Sequence, residues 1–278
     1  GLTGLTNSRE RMTFEKVAQT RFKKKSSFIA DQILRMINSG GYTAGSKLPS
    51  ERIITEQMGV SRPSLREAIS ALQIVGLLES RPGDGTYVCF PSATEDLKRQ
   101  ALTVLEECDS PYENMQARKA LEIGAVQLAI KVATDADLLA IQKAWKEKYE
   151  RGRRGDLEEY LRYGKEYHLA IARATKNRLI EGITEKLLDM TIQPLWINMR
   201  REYFLKDPSR IELMLDIHNR ILKAIVARDA VKATRELEIH YDIQIEQIYN
   251  QNDENSHEHP IKSTLIAEDK GGDRGNIR

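Results

Sequence analysis

The chain has 278 residues, room for two ordinary domains or one large one, and its 40% hydrophobic and 30% charged content is the balance of a soluble protein with a filled core. Aromatic residues are sparse at 6%, which disfavours a sheet-rich sandwich and favours helices built on Leu, Ile and Ala. Formal net charge is only +2, yet residues 1–90 hold 13 Lys/Arg against 8 Asp/Glu and the remainder carries a small acidic excess. A basic front suggests that this end meets a polyanion. Statistical scatter explains an excess of five equally well, so charge alone decides nothing. No apolar run approaches the roughly 20 residues of a membrane helix. The opening GLTGLTNSRERM lacks a signal-peptide core, and Cys89 and Cys108 have no metal or redox spacing. A cytoplasmic protein is expected, and secreted, membrane and disulfide-scaffold classes are set aside.

In chain order, residues 1–25 read as a flexible basic arm with Arg21, Lys23, Lys24 and Lys25. A helix is predicted near 26–39, where Ile29, Ile33, Leu34 and Ile37 recur at helical spacing before Gly40-Gly41. A second helix starts after Pro49 with Ser50 as N-cap and ends at Gly59. Ser61 caps a third, with Pro63 in its first turn and an apolar stripe of Leu65, Ala68, Ile69 and Leu72 running to Gly76. LLES and TYV, separated by RPGDG, read as a tight hairpin. The outline over 26–90 is a winged helix-turn-helix.

Residues 91–110 read as a linker with a helix near 93–107. Residues 111–250 carry only helix-period segments, placed near 111–133, 135–151, 156–175, 177–203, 208–228 and 229–250, with Pro194 kinking the longest. Residues 251–278 read as a flexible tail. The fold class is therefore mainly α: an N-terminal winged helix-turn-helix followed by an all-α bundle.

On the third helix Arg62 and Arg66 share a face with Ser70 and Gln73, beside the apolar stripe. Guanidinium forks near a helix N-terminus suit phosphates and guanine edges in a major groove. The Ser61 and Ser64 hydroxyls and the free N–H groups of the first turn can hold phosphates. Arg81, ahead of the Gly83-Asp84-Gly85 tip, puts a cation on a thin loop able to reach a minor groove. A merely solvated face with two arginines accounts for the helix taken alone.

The string GSKLPSERIITEQMGVSRPSLREAISALQIVGLLESRPGDGTYV, residues 45–88, resembles the DNA-binding domain of the GntR family of bacterial regulators. It contains the family's G-x-K-L-P-S-E-R, V-S-R-x-x-x-R-E-A, L-x-x-x-G-L-L and G-x-G-T-x-V elements in order. The resemblance implies contacts to double-stranded DNA from Arg52, Arg62, Ser64, Arg66 and Gly83. Pro63 stands where relatives often carry Thr or another small residue.

Of five histidines, His257 and His259 fall in the tail. The other three sit on inward faces: His168 with Leu157, Leu161, Gly164 and Ile171; His218 with Ile211, Leu215, Leu222 and Ile225; His240 with Ala233 and Leu237. One inward histidine is ordinarily a satisfied core residue. Three on separate helices would suit Zn, Ni, Fe or Mn if they converge.

The segments 117–130, 166–177, 217–225 and 238–240 resemble the helical FCD effector domain of the FadR-like branch of that family. The resemblance implies that an Asp and three His hold a divalent metal whose shell an effector carboxylate completes. His168, His218 and His240 match by order and motif, but Gly164 stands where the Asp belongs. Arg118 aligns with the arginine that meets an anionic effector, although an i,i+4 ion pair with Glu122 is an equally good account of it. Arg118, Glu122, Tyr163 and Gly164 are the residues expected around an effector. Three functions follow. One is a dimeric, ligand-responsive repressor reading a pseudo-palindromic operator through a metal-assisted carboxylate site. Another is the same regulator with a metal-free pocket for an acyl or other organic ligand. The last is a His-metal enzyme, for which only Glu122 or Tyr163 is at hand as general base.

Overall fold

The computed structural model describes residues 24–249; most of the basic arm, the tail and the tail histidines lie outside the described residues. Helix α1 (Lys25–Asn38) buries Ile29, Ile33, Leu34 and Ile37, the periodic set of the sequence, against α3 (Arg62–Ile74). Helix α2 (Glu51–Met58) is capped by the Ser50 side chain and stops at Gly59, whose left-handed φ of 64° turns the chain directly into α3. Ser61 caps α3, and Pro63 lies in its first turn, where no N–H is needed. Strand β1 (Leu78–Arg81) pairs antiparallel with β2 (Gly85–Val88), setting Leu78 opposite Val88 and Arg81 opposite Gly85.

Helix α4 (Glu95–Glu107), within the expected linker, packs on α1 and α3. Its buried Ala101 and Leu105 join the head core, and Lys24 Nζ donates to the Leu105 carbonyl at 2.7 Å. The body follows as α5 (Pro111–Val132), α6 (Asp135–Arg153), α7 (Leu157–Ala174), α8 (Arg178–Asp189), α9 (Pro194–Lys206), α10 (Ser209–Val226) and α11 (Ala230–Tyr249). Side-chain caps set most starts: Ser110 for α5, Thr134 with Asp137 for α6, Asp156 for α7 and Asn177 for α8.

The single long helix expected over 177–203 is two. A 3-10 turn at Met190–Ile192 separates α8 from α9, and Pro194 opens α9 rather than kinking a continuous helix. The cause is local: Gln193, preceding proline, is extended at ψ 148°, and proline has no N–H to continue the ladder. This break aims α9 at the head, where it packs on α3.

Candidate functional site

Two sites take shape, one on the head and one inside the bundle. On the head, Arg52, Ser61, Arg81 and Gly83 are exposed, and Arg62, Pro63 and Ser64 are half-buried along the start of α3. Most of these cations already have carboxylate partners: Arg52 with Glu56 at 2.8 Å, Arg81 with Glu79 at 2.6 Å, and Lys47 with Asp84 at 2.9 Å beside the wing tip. Such exposed pairs are worth about 0–1 kcal/mol and exchange readily for phosphate.

Arg66 is different. Its side chain is only 11% exposed, its Nε donates to Glu51 at 2.7 Å, and its guanidinium reaches the Ile248 carbonyl of α11. Ser70 and Gln73, on the same face of α3, meet Asn198 of α9 at 2.8 and 3.2 Å. The distal half of the expected DNA face is therefore turned onto the body, and only its N-terminal half and the wing face outward.

Within the bundle, α7, α10 and α11 bring His168, His218 and His240 together, all buried, with nitrogens within 4.8 Å of one another. Hydrogen-bond partners assign the tautomers. His168 Nδ1 lies 2.6 Å from Glu122 Oε2 and His218 Nδ1 lies 2.6 Å from the Met214 carbonyl, so each Nδ1 carries the proton. Both Nε2 lone pairs then face each other across 3.2 Å, an arrangement that calls for a donor or cation beside them. Lys148 Nζ, from α6, lies 3.1 Å from both His218 ring nitrogens, over the face of that ring and beside this space.

Glu122 also accepts from Arg118 Nε at 3.0 Å. Burial alone would raise its carboxyl, but His168 and Arg118 overcome that and hold it well below the usual carboxylate range. Burial lowers His168 to about 4 despite Glu122, and burial, with Lys148 and the neighbouring imidazoles, holds His218 and His240 well below the ordinary imidazole value. Burial, then Arg200 and Arg118, push Lys148 well below its ordinary value; burial, then Arg118, lower Arg200 to about 10. A cavity of about 20 Å³, room for a water or two, opens among Arg118, Lys148, Gly164, Arg200 and the three histidines.

Residues 25–88 match the family described as bacterial regulatory proteins, gntR family, and residues 113–242 match the FCD domain. The HTH-type transcriptional regulator LutR of Bacillus subtilis (strain 168) is 30% identical over 198 residues, covering 71% of this chain and 89% of that protein. The Uxu operon transcriptional regulator of Escherichia coli (strain K12) is 31% identical over 222 residues, covering 77% and 80%. This chain belongs to the GntR family. The solved structure of E. coli McbR/YncC aligns over 81% of this chain and 97% of its own at a TM-score of 0.43 and 20% identity. As a GntR regulator with an FCD domain, the protein is a DNA-binding transcriptional regulator and not an enzyme. No helix among the described residues is long and apolar enough to cross a membrane.

In this GntR member the FCD pocket departs from the expected metal centre. Three neutral imidazoles are a donor set that a zinc-like ion accepts, and Glu122 behind His168 is the usual outer partner. Charge and space oppose it. No carboxylate lines the cavity, Glu122 is already bonded to Arg118 and His168, and Lys148 Nζ lies against the His218 ring beside the same space. A Cβ built on Gly164 would lie 3.5 Å from Lys148 Nζ, so the amine fills the space into which a carboxylate at 164 would project. An ion would have to displace the amine from this space, and any proton the amine keeps adds repulsion to a dication. With Lys148 there, the residues present do not fit a divalent ion.

Of the expected effector residues, Arg118 and Gly164 line the cavity and Glu122 stands behind it. Tyr163 does not reach it. One residue before Gly164 is about 100° round the helix, and its ring lies instead against Arg151 and Arg162, at 5.4 and 4.5 Å. Sequence reasoning missed Lys148 and Arg200. Both had a signal: Lys148 continues the stripe Leu138, Ile141, Trp145 on α6, and Arg200 falls four residues after Trp196 and three before Tyr203 on α9. A charged residue on an inward stripe is as informative as a histidine there.

Proposed function

We propose that this protein is a homodimeric, ligand-controlled repressor of the FadR-like branch. It reads a pseudo-palindromic operator in the cytoplasm and senses a small carboxylate in the FCD pocket, without metal. The carrying observation is that two helices border both sites. On α9, Arg200 lines the cavity while Asn198 holds Ser70 and Gln73 of α3. On α11, His240 and Gln244 line the cavity while the Ile248 carbonyl holds Arg66.

The cavity is too small for a carboxylate as it stands, so binding one displaces α9 or α11. That displacement withdraws the groups that hold α3. A ligand shifts such an equilibrium only by preferring one state. Here it prefers the opened one, which frees Arg66 for the duplex, so the carboxylate strengthens operator binding. Two-fold symmetry then matches two heads to two half-sites.

The test is fluorescence anisotropy on a duplex selected by the protein from a random pool. Binding that falls steeply as salt rises, and that tightens when a carboxylate ligand is added, supports the reading. Failure to enrich any duplex at low salt overturns it.

A further inference from the structure

We propose that Lys148 takes the place of the metal ion: its amine, flanked by Arg118 and Arg200 and protonated when an anion enters, is the group that receives the ligand's carboxylate. This rests on the regulator reading for its consequence but on independent geometry for its substance. Lys148 is 3% exposed, on the inward stripe of α6, and has no carboxylate partner among the described residues. Its Nζ sits 3.1 Å from His218 Nε2, 4.9 Å from the Tyr160 ring centre and 6.0 Å from that of Tyr167. Arg200, whose guanidinium lies 5.1 Å from the Trp196 ring, likewise has no carboxylate partner among the described residues. Besides Lys165, which pairs with Asp189, three basic residues line a cavity whose buried neighbouring carboxylate, Glu122, is already shared between Arg118 and His168. Buried cations in excess of anions define a site for an anion.

The missing side chain at Gly164 and the Lys148 amine share one space, 3.5 Å separating a Cβ at 164 from Nζ. Where a metal site needs an anionic ligand at 164, this pocket has a fixed amine in that space and needs none. The Nε2 lone pairs of His168 and His218 remain as hydrogen-bond acceptors facing the same space. They suit a hydroxyl adjacent to the carboxylate, so the class of ligand is a small hydroxycarboxylate: carboxylate to Lys148 and the arginines, hydroxyl to an imidazole.

Two measurements on untagged full-length protein test this. Zinc content is read after incubation with Zn2+ and desalting, for wild type and for the double variant Lys148→Met with Gly164→Asp. Wild type is expected to retain at least tenfold less zinc than the double variant, which regains both the space and the anionic ligand. Glycolate then serves as the probe in thermal unfolding with EDTA present: wild type shifts upward, acetate shifts it less, and Lys148→Met loses the shift. Methionine fills the same volume without a buried charge, so the unliganded midpoint of Lys148→Met is expected at or above that of wild type, separating lost binding from lost folding. The proposal is overturned by zinc retention in wild type equal to the double variant. It is equally overturned by a glycolate shift that is absent, needs Zn2+, or survives in Lys148→Met. If wild type binds zinc yet still enriches an operator, this inference fails and the regulator reading stands. If no operator is enriched, the regulator reading fails whatever the pocket does.

Discussion

Asn198 Nδ2 donates to Ser70 Oγ at 2.8 Å, joining the body helix that carries Arg200 to the helix that carries the expected DNA contacts. The bond spans 128 positions of sequence and lies beside the contact of Arg66 with the Ile248 carbonyl. Together they hold the head in a position where half of the expected DNA face meets protein.

Releasing that hold strengthens DNA binding. Asn198→Ala removes two hydrogen bonds to α3, each worth about 0.5–1.5 kcal/mol net. The expected outcome is operator affinity raised several-fold to tenfold without ligand, read by anisotropy. An unchanged Kd means that the contact does not restrain the head.

Arg62, at the start of α3, lies on the outward half of the face. Arg62→Ala is expected to weaken operator binding by about 1–3 kcal/mol if the arginine reads a base. If it contacts phosphate, the loss is uniform across sequences and the salt slope falls by about one. Binding unchanged in both respects removes Arg62 from the interface.

Glu122 bonds both Arg118 and His168 while fully enclosed. Glu122→Gln keeps the shape but leaves Arg118 without its counter-charge, which costs about 3–5 kcal/mol. In a chain of this size that lowers the unfolding midpoint by about 6–20 °C. A midpoint within a degree or two of wild type contradicts the pairing.

Acid destabilises the bundle in a defined window. The histidine value of 6.5 applies to the unfolded chain, and folded His168 sits at about 4, with His218 and His240 displaced in the same direction. Between those values the unfolded state binds more protons, so stability is full above pH 6.5 and falls as pH drops toward 4. Each such proton contributes about 1.4 kcal/mol per pH unit. Glu122, depressed when folded, adds loss below its ordinary 4.5. Urea midpoints at pH 7.5, 6.0 and 5.0 should descend in that order, and a flat series contradicts buried neutral imidazoles.

The primary structure by itself determined the elements and most of the chemistry they carry. Capping residues and 3.6-residue periodicity located nearly every helix, the RPGDG turn located the wing, and inward periodicity singled out His168, His218 and His240. These are local properties, expressed within one or two helical turns. At Pro194 the extended residue before proline outweighs an otherwise continuous helical pattern, so the helix expected over 177–203 divides there. What only the tertiary structure decided lies between elements. Lys148 meets His218 across 70 residues and Arg66 meets Ile248 across 182, and neither partner is implied by the other's neighbours in sequence. Helix packing sets which side chains share one low-dielectric space, so it alone could show that an amine stands where a carboxylate ligand was expected. The same packing turned α3 toward the two helices that line the buried cavity.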